Sequence, residues 1–205
     1  MSHKSNALKR IQLVAPIRPN ARRCVAAVWL LVVAPACILM LVVVTELSNL
    51  WLARVQLENA LEAAALAGVQ IWGDTGSLTN ARAGAVEMAL ANAIVGEPLV
   101  ITPNGGGPGA NENASCSGNV ILGGITIAPP TTFAAGTAPD CGALIPIHYG
   151  VRCQATVAVD SLWSSIFGFT VGQHDVSATA TALYICPAAT GGPPRIVQID
   201  TYTCP

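Results

Sequence analysis

Cysteine offers the most chemistry in this chain: of its seven, Cys116, Cys141, Cys153, Cys186 and Cys204 all lie in the C-terminal half. In an oxidising compartment such a set closes disulfides, and an odd number allows at most two bridges with one thiol left over. Spacing alone leaves the connectivity open. Metal binding is poorly served, because the five form no CxxC pair and the nearest histidine, His148, sits five residues before Cys153. The remaining residues able to transfer protons or attack a substrate are His148, His174, Asp160, Asp175 and several serines. No nucleophile elbow, zinc-binding helix or phosphate loop organises them, so no catalytic, cofactor or metal site is assigned. His174-Asp175, close behind Gly172, reads as a turn. The glycine-rich stretch 103–118 lacks the Lys-Ser/Thr ending and the G-x-G-x-x-G spacing of phosphate loops. Asn113-Ala114-Ser115 within it has the form of a glycosylation acceptor, a tripeptide frequent by chance.

The elements that must position these residues are organised by the stretch 25–45, VAAVWLLVVAPACILMLVVVT, which holds no charged residue. As a helix it covers about 30 Å, the thickness of a bilayer's hydrocarbon core. Lys4, Lys9, Arg10, Arg18, Arg22 and Arg23 precede it without an acidic residue, while all eleven carboxylates and only four basic side chains follow it. The positive-inside rule therefore puts residues 1–24 in the cytoplasm and the remainder outside. A buried core helix would not need that charge asymmetry. A cleaved signal is the stronger rival, since Ala34-Pro35-Ala36 precedes Cys37, but the apolar run continues eight residues past Cys37 and Pro35 suits a kinked span better. Residues 1–24 are basic and broken by Pro16 and Pro19. They set topology, can attract anionic lipid, and carry no nucleic-acid motif.

Glu46, the first charge after the span, has two readings. It marks the water interface, or it selects a partner cation or register when helices assemble. Beyond it Leu47, Leu50, Trp51, Val55, Leu61, Ala65, Leu66 and Val69 recur mostly every three or four residues, so one helix is expected from Val25 to Ile71, ended by Gly73. Arg54 and Glu58, four apart, form a solvated pair. A second helix is expected over 80–95, capped by Thr79 and buried through Ala85, Val86, Ala89, Leu90, Ala93 and Ile94, packing closely on the alanines of 63–68.

Strands follow. Residues 120–127 form one, with a bulge suggested by Gly123-Gly124; 128–139 is a proline-rich connection. In 145–159 Ile147, Tyr149, Val151, Cys153, Ala155 and Val157 alternate with His148, Arg152, Gln154 and Thr156. That period puts Cys153 on a buried face, suited to a disulfide, and His148 on an exposed one. Residues 176–186 alternate likewise, 187–194 is a linker, and 196–203 is a last strand whose tail Cys204 can staple. The expected class is α+β: a long transmembrane-plus-stalk helix, a second alanine-rich helix and a mainly antiparallel sheet. The organisation is a basic tail 1–24, a span 25–45, helical stalk and second helix 46–98, and a β-rich domain 99–205.

The stretch 22–69, RRCVAAVWLLVVAPACILMLVVVTELSNLWLARVQLENALEAAALAGV, resembles the N-terminal module of the TadE/TadG-like proteins of the tight-adherence, or Flp, pilus system. The likeness lies in the basic pair, the mid-span proline, the acidic residue near the span's end, and the run through Leu57-Glu58-Asn59-Ala60 and Glu62-Ala63-Ala64-Ala65-Leu66-Ala67-Gly68. That family commonly shows Gln and Asp where this chain has Glu58 and Glu62. Residues 157–182, ending A-T-A-T-A, are similar to a strand, short helix, strand unit of such proteins. Prepilin processing is not implied, because Glu46 lies at the far end of the span, and no D-x-S-x-S metal site of the larger members is present. The resemblance implies a non-enzymatic, pilin-like component of the bacterial inner membrane. It would have a cytoplasmic N-terminus, an extracytoplasmic domain, other pilus or secretion proteins as partners, and homo- or hetero-oligomeric contacts. The alternative is a membrane-tethered extracytoplasmic enzyme or ligand-binding domain.

Overall fold

The computed structural model describes residues 21–103, 116, 118–167, 172–186 and 192–204. Most of the basic tail, the glycosylation tripeptide and much of the linker after Cys186 lie outside them. The first helix, α1, runs Ala21–Thr75, and the chain divides into two compact units, Met1–Val43 and Val44–Pro205. In the first unit, the large apolar side chains from Val28 to Val43 are between 44% and 72% exposed, except the half-buried Val42. That stretch is long and apolar enough to cross a membrane, and Pro35 lies within the helix. A helical stretch apolar on every side and exposed among the described residues suits hydrocarbon, not water.

In the second unit α1 buries one stripe, Ala53, Leu57, Ala60, Leu61, Ala64, Ala65, Val69 and Trp72. The helix continues through Gly73 and stops at Gly76, whose φ of 67° is open to glycine without a Cβ penalty and whose N–H reaches Trp72 O at 2.8 Å. Gly73 lies within the helix at a position only glycine fits, because the Tyr184 ring lies where a side chain would project. The second helix, α2, is Leu78–Leu90, capped not by Thr79 but by Ser77, whose hydroxyl accepts the Asn80 N–H at 3.3 Å. Its buried residues are Ala81, Ala85 and Ala89, while Leu90 is exposed. A Cβ on Gly68 would meet the Ala85 Cβ at 3.1 Å and Ala81 O at 3.2 Å, so small residues on both helices set their spacing.

Where the second helix was expected to reach Val95, a hairpin forms instead, β1 (Ala93–Ile94) with β2 (Glu97–Pro98). Val95 and Gly96 both have positive φ, the signature of a tight two-residue turn, and the Val95 N–H donates to Gln56 Oε1 on α1 at 2.8 Å.

The sheet contains β3 (Val120–Thr126), β4 (Thr132–Ala135), β5 (His148–Val159), β6 (His174–Tyr184), β7 (Arg195–Ile196) and β8 (Thr201–Thr203), in the order β7-β6-β5-β3-β4-β8. All pairings are antiparallel except β4 with β8. A short helix, α3 (Leu162–Phe167), joins β5 to β6. Four expectations are corrected. The connection 128–139 contains β4; the last strand is two pieces, β7 and β8; His174 and Asp175 begin β6 and form no turn; and Gly123-Gly124 makes no bulge. The glycines instead allow close approach, Gly123 over the Ala134 backbone and Gly124 beneath Ile147.

The sheet is covered on both faces. Val120, Leu122, Val151, Cys153, Val176, Ala178, Ala180 and Ala182 meet α1 and α2. Ile121, Ile125, Phe133 and Leu183 pack with Val197, Ile199 and Tyr202 of the C-terminal tail on the other. Leu57, fully buried, and Leu52, on the open side of the same helix, separate core from surface. Leu57→Ala is expected to destabilise the full-length chain in detergent by about 2–5 kcal/mol and Leu52→Ala by under about 0.5, measured by denaturant titration of tryptophan fluorescence.

Candidate functional site

Glu46 lies where α1 meets the turn after β5. Its Oε2 accepts the Leu162 N–H at 3.2 Å, and its Oε1 is buried without a hydrogen-bond partner among the described residues. Around it, Trp163 Nε1 donates to Thr45 Oγ1 at 3.2 Å and Asn49 Nδ2 to the Asp160 carbonyl at 3.5 Å. The nearly fully buried Ser161 caps α3 through Trp163 N at 3.3 Å, and Gln173 Nε2 donates to Asp160 Oδ1 at 2.9 Å. A carboxylate and two polar side chains of α1 therefore clasp the 160–163 turn. Sequence reasoning singled out Glu46 as a carboxylate out of place but missed Thr45, Asn49, Ser161 and Trp163. Their only advance signal was the polar residues just past the apolar run.

The opposite end of α1 in this unit is held by Asp74, whose Oδ1 accepts the Tyr184 hydroxyl at 3.0 Å. That bond, with burial and the carboxylate's charge, raises the Tyr184 pKa above its ordinary value. Trp72, Tyr149 and Tyr184 continue the contact edge to face, with ring centroids 5.3 and 6.2 Å apart.

The structure pairs Cys116 with Cys204 and Cys141 with Cys186, at Cα separations of 6.1 and 5.3 Å. The bridges span 88 and 45 residues, each worth about 4–5 kcal/mol in the chain-entropy account. Gln154 Nε2 ties the first bridge to β5 through the Cys116 and Gly118 carbonyls at 2.7 and 3.0 Å. Cys153 lies on the buried face, as its alternation requires, but it is a free thiol and joins no bridge. Burial pushes its pKa up to about 12, which suppresses the reactive thiolate.

His148 corrects the expectation of exposure: it is 7% exposed, and its Nδ1 accepts the Cys186 N–H at 3.1 Å. Alternation placed it opposite the helices correctly, but Leu183, Val197 and Ile199 make that back face a second core. Burial first and the Arg195 charge second lower its pKa. Asp160 is engaged in the clasp, and His174 and Asp175, adjacent on β6, point to opposite faces. The structure thus brings His148 to a bridge and Glu46 to a turn, and places His174 and Asp175 on opposite faces of β6. Among the described residues, no three His, Cys, Asp or Glu side chains gather closely enough to share a metal ion.

Two measurements follow from these environments. Because folded His148 resists protonation, the unfolded chain takes up the proton first as pH falls through 6.5. Thermal stability is therefore expected to drop between about pH 7 and pH 5, and His148→Asn to flatten that slope. On non-reducing peptide mapping the 116–204 and 141–186 pairs are expected as cross-linked peptides, with Cys153 alkylated by N-ethylmaleimide only after unfolding; labelling of native Cys153 would contradict its burial.

No curated protein and no solved structure matches the chain significantly. The clasp-bearing helix is nevertheless recognisable by its sequence, for residues 25–70, the apolar stretch together with the first turns packed on the sheet, match the Tad family of Flp pilus-assembly TadE/G-like proteins.

Proposed function

We propose that this protein is a single-pass, pilin-like component of a Tad/Flp-type pilus or secretion apparatus, working through contacts and not through catalysis. One observation carries the reading: the matched segment 25–70 is half membrane-crossing helix and half domain core, with Ala53, Leu57, Leu61 and Ala64 fully buried on the sheet side. An enzyme needs its anchor only as a tether. Here the helix that leaves the apolar stretch also supplies the buried stripe at the centre of the domain. The charge distribution supports a cytoplasmic side for residues 1–24, and the two bridges support an oxidising, extracytoplasmic side for the domain, as a component of a bacterial inner membrane would have.

Glu46 in this reading serves the junction from within: one oxygen holds α3, and the other is buried beside it.

The test is deletion of the chain, with fibres scored by microscopy and the protein located by protease access to a C-terminal tag. Loss of fibres in the deletion strain, with full-length chain in the carbonate-resistant membrane fraction and its tag cleaved from outside, is expected. Normal fibres in that strain would remove the assembly role, and a shortened chain in the sheared fraction would replace the anchor with a cleaved pilin.

A further inference from the structure

The ladder between β5 and β6 ends at Tyr149 and Tyr184. Two residues on, the Cys186 N–H donates not to a strand but to a side chain, His148 Nδ1, at 3.1 Å. A ring nitrogen that accepts this bond keeps its lone pair, so the imidazole is held neutral with its proton on Nε2. His148 and Cys186 are each 7% exposed, so neither side of the bond reaches bulk water while this corner is closed.

The corner is thinly attached. β7 pairs with β6 only through Ala182 with Ile196 and Leu183 with Arg195, and Val197 N donates to Thr181 O at 2.9 Å. On either side of β7 the chain is fixed more firmly. Cys186 is bridged to Cys141, Asp200 Oδ2 accepts the Thr131 N–H at 2.9 Å, β8 pairs with β4, and Cys204 is bridged to Cys116. A short piece held at both ends and weakly between them is the kind that opens without unfolding the sheet.

Of the charged groups on the surrounding elements, Arg195 on β7 is the one whose field reaches the His148 ring. Arg152, four residues along β5 on the same face, stacks on the Tyr202 ring of β8 at 4.7 Å. β3 places Ile125 opposite His148 and carries no charge, and Tyr184 on β6 is turned to Asp74. Asp140, in the connection before β5, accepts the Gly142 N–H through Oδ1 at 2.9 Å, and Asp200 in the tail is engaged with Thr131. Among the described residues no carboxylate pairs with the ring, and Arg195 opposes its charged form.

We infer that His148 is a proton-operated latch: protonation replaces its Nδ1 lone pair with an N–H that faces the Cys186 N–H, and Cys186 and β7 let go of the sheet while the rest of the domain stays folded. The Cys141 bridge limits how far Cys186 travels, so the corner closes again when the proton leaves. Closed, the ring resists protonation, through burial first and Arg195 second; open, it titrates at its ordinary 6.5. The latch is therefore shut above pH 6.5, and as pH falls below that value the open form takes the proton first and gains population. It does not depend on the assembly role proposed above.

The test is amide hydrogen exchange on the full-length, oxidised chain in detergent, expressed as opening constants so that the intrinsic pH dependence of exchange cancels. From about pH 7.5 to about pH 5.5 the opening constants of the Cys186 and Val197 amides are expected to rise about threefold or more. In low urea these two stay insensitive to denaturant, whereas Gln154, whose N–H donates to Asn119 O at 2.9 Å within the sheet, opens only in a denaturant-sensitive way. His148→Asn keeps an acceptor, its Oδ1, near the place of Nδ1 and does not titrate, so the rise with falling pH is expected to disappear. The ring is also read without a variant: its nitrogen NMR signals are expected to show the neutral Nε2–H tautomer at about pH 7.5 and to lose it in step with the opening of Cys186. A Cys186 amide flat with pH, equal denaturant dependence at Cys186 and Gln154, a rise that persists in His148→Asn, or an Nδ1–H tautomer overturns the latch.

Discussion

The structure depends on one helix that changes its side-chain pattern along its length. From Val25 to Val43 α1 is apolar around its whole circumference and apolar enough to cross a membrane, and beyond it α1 is apolar along one stripe that becomes the core of a domain. A change of solvent along a continuous helix demands a change of side-chain pattern without a change of backbone. The chain makes that change within one turn, at Thr45, Glu46 and Asn49, all of which hydrogen-bond to the 160–163 turn. Those bonds make the junction part of the fold: the first polar groups past the apolar stretch find partners supplied by residues more than 110 positions away.

Small residues then decide how close the layers come. Ala60, Ala64 and Gly68 of α1 and Ala81 and Ala85 of α2 bury little area each, about 25 cal/mol per Å², so contact distance and not bulk holds this part together. Larger side chains are spent at the periphery of the same core, where Leu57, Trp72, Tyr149 and Tyr184 bridge helix to sheet. A thin core of this kind gains from crosslinks. One bridge ties the end of the glycine-rich stretch to the tail at Cys204, and the other ties the β4–β5 connection to Cys186, two residues after β6.

Much of this was legible from period alone. The three-to-four spacing past Glu46 and the strict alternation in 145–159 and 176–186 gave α1, β5 and β6, because each long element advertises its buried face many times over. The short elements did not. β4 sits between prolines, and β8 pairs in parallel with a strand 69 positions earlier, a contact no local pattern encodes. The misplacement of His148 has the same origin: alternation tells which face a residue occupies, not whether a distant tail will cover that face. Helix ends turned on single choices between neighbours, Gly76 over Gly73 and Ser77 over Thr79, where the deciding facts were the positive φ of Gly76 and a cap geometry. Of the candidate site, the unusual carboxylate could be read and its partners could not.

The back-face tail also explains why β6 is left with an open edge. Arg152 stacks over the Tyr202 ring at 4.7 Å, Asp200 exchanges bonds with Thr131, and Cys204 is fixed to Cys116, so the tail is committed to the far side of the sheet. To reach β8 it must leave β6 after Val197, having covered only the end of that strand. Continuing along β6 would forfeit the Phe133, Tyr202 and Ile199 cluster that closes the second core. The uncovered stretch from Asp175 to Thr179 is thus a consequence of how the sheet buries its other face. It leaves backbone N–H and C=O groups that, among the described residues, no strand pairs with and that water can satisfy.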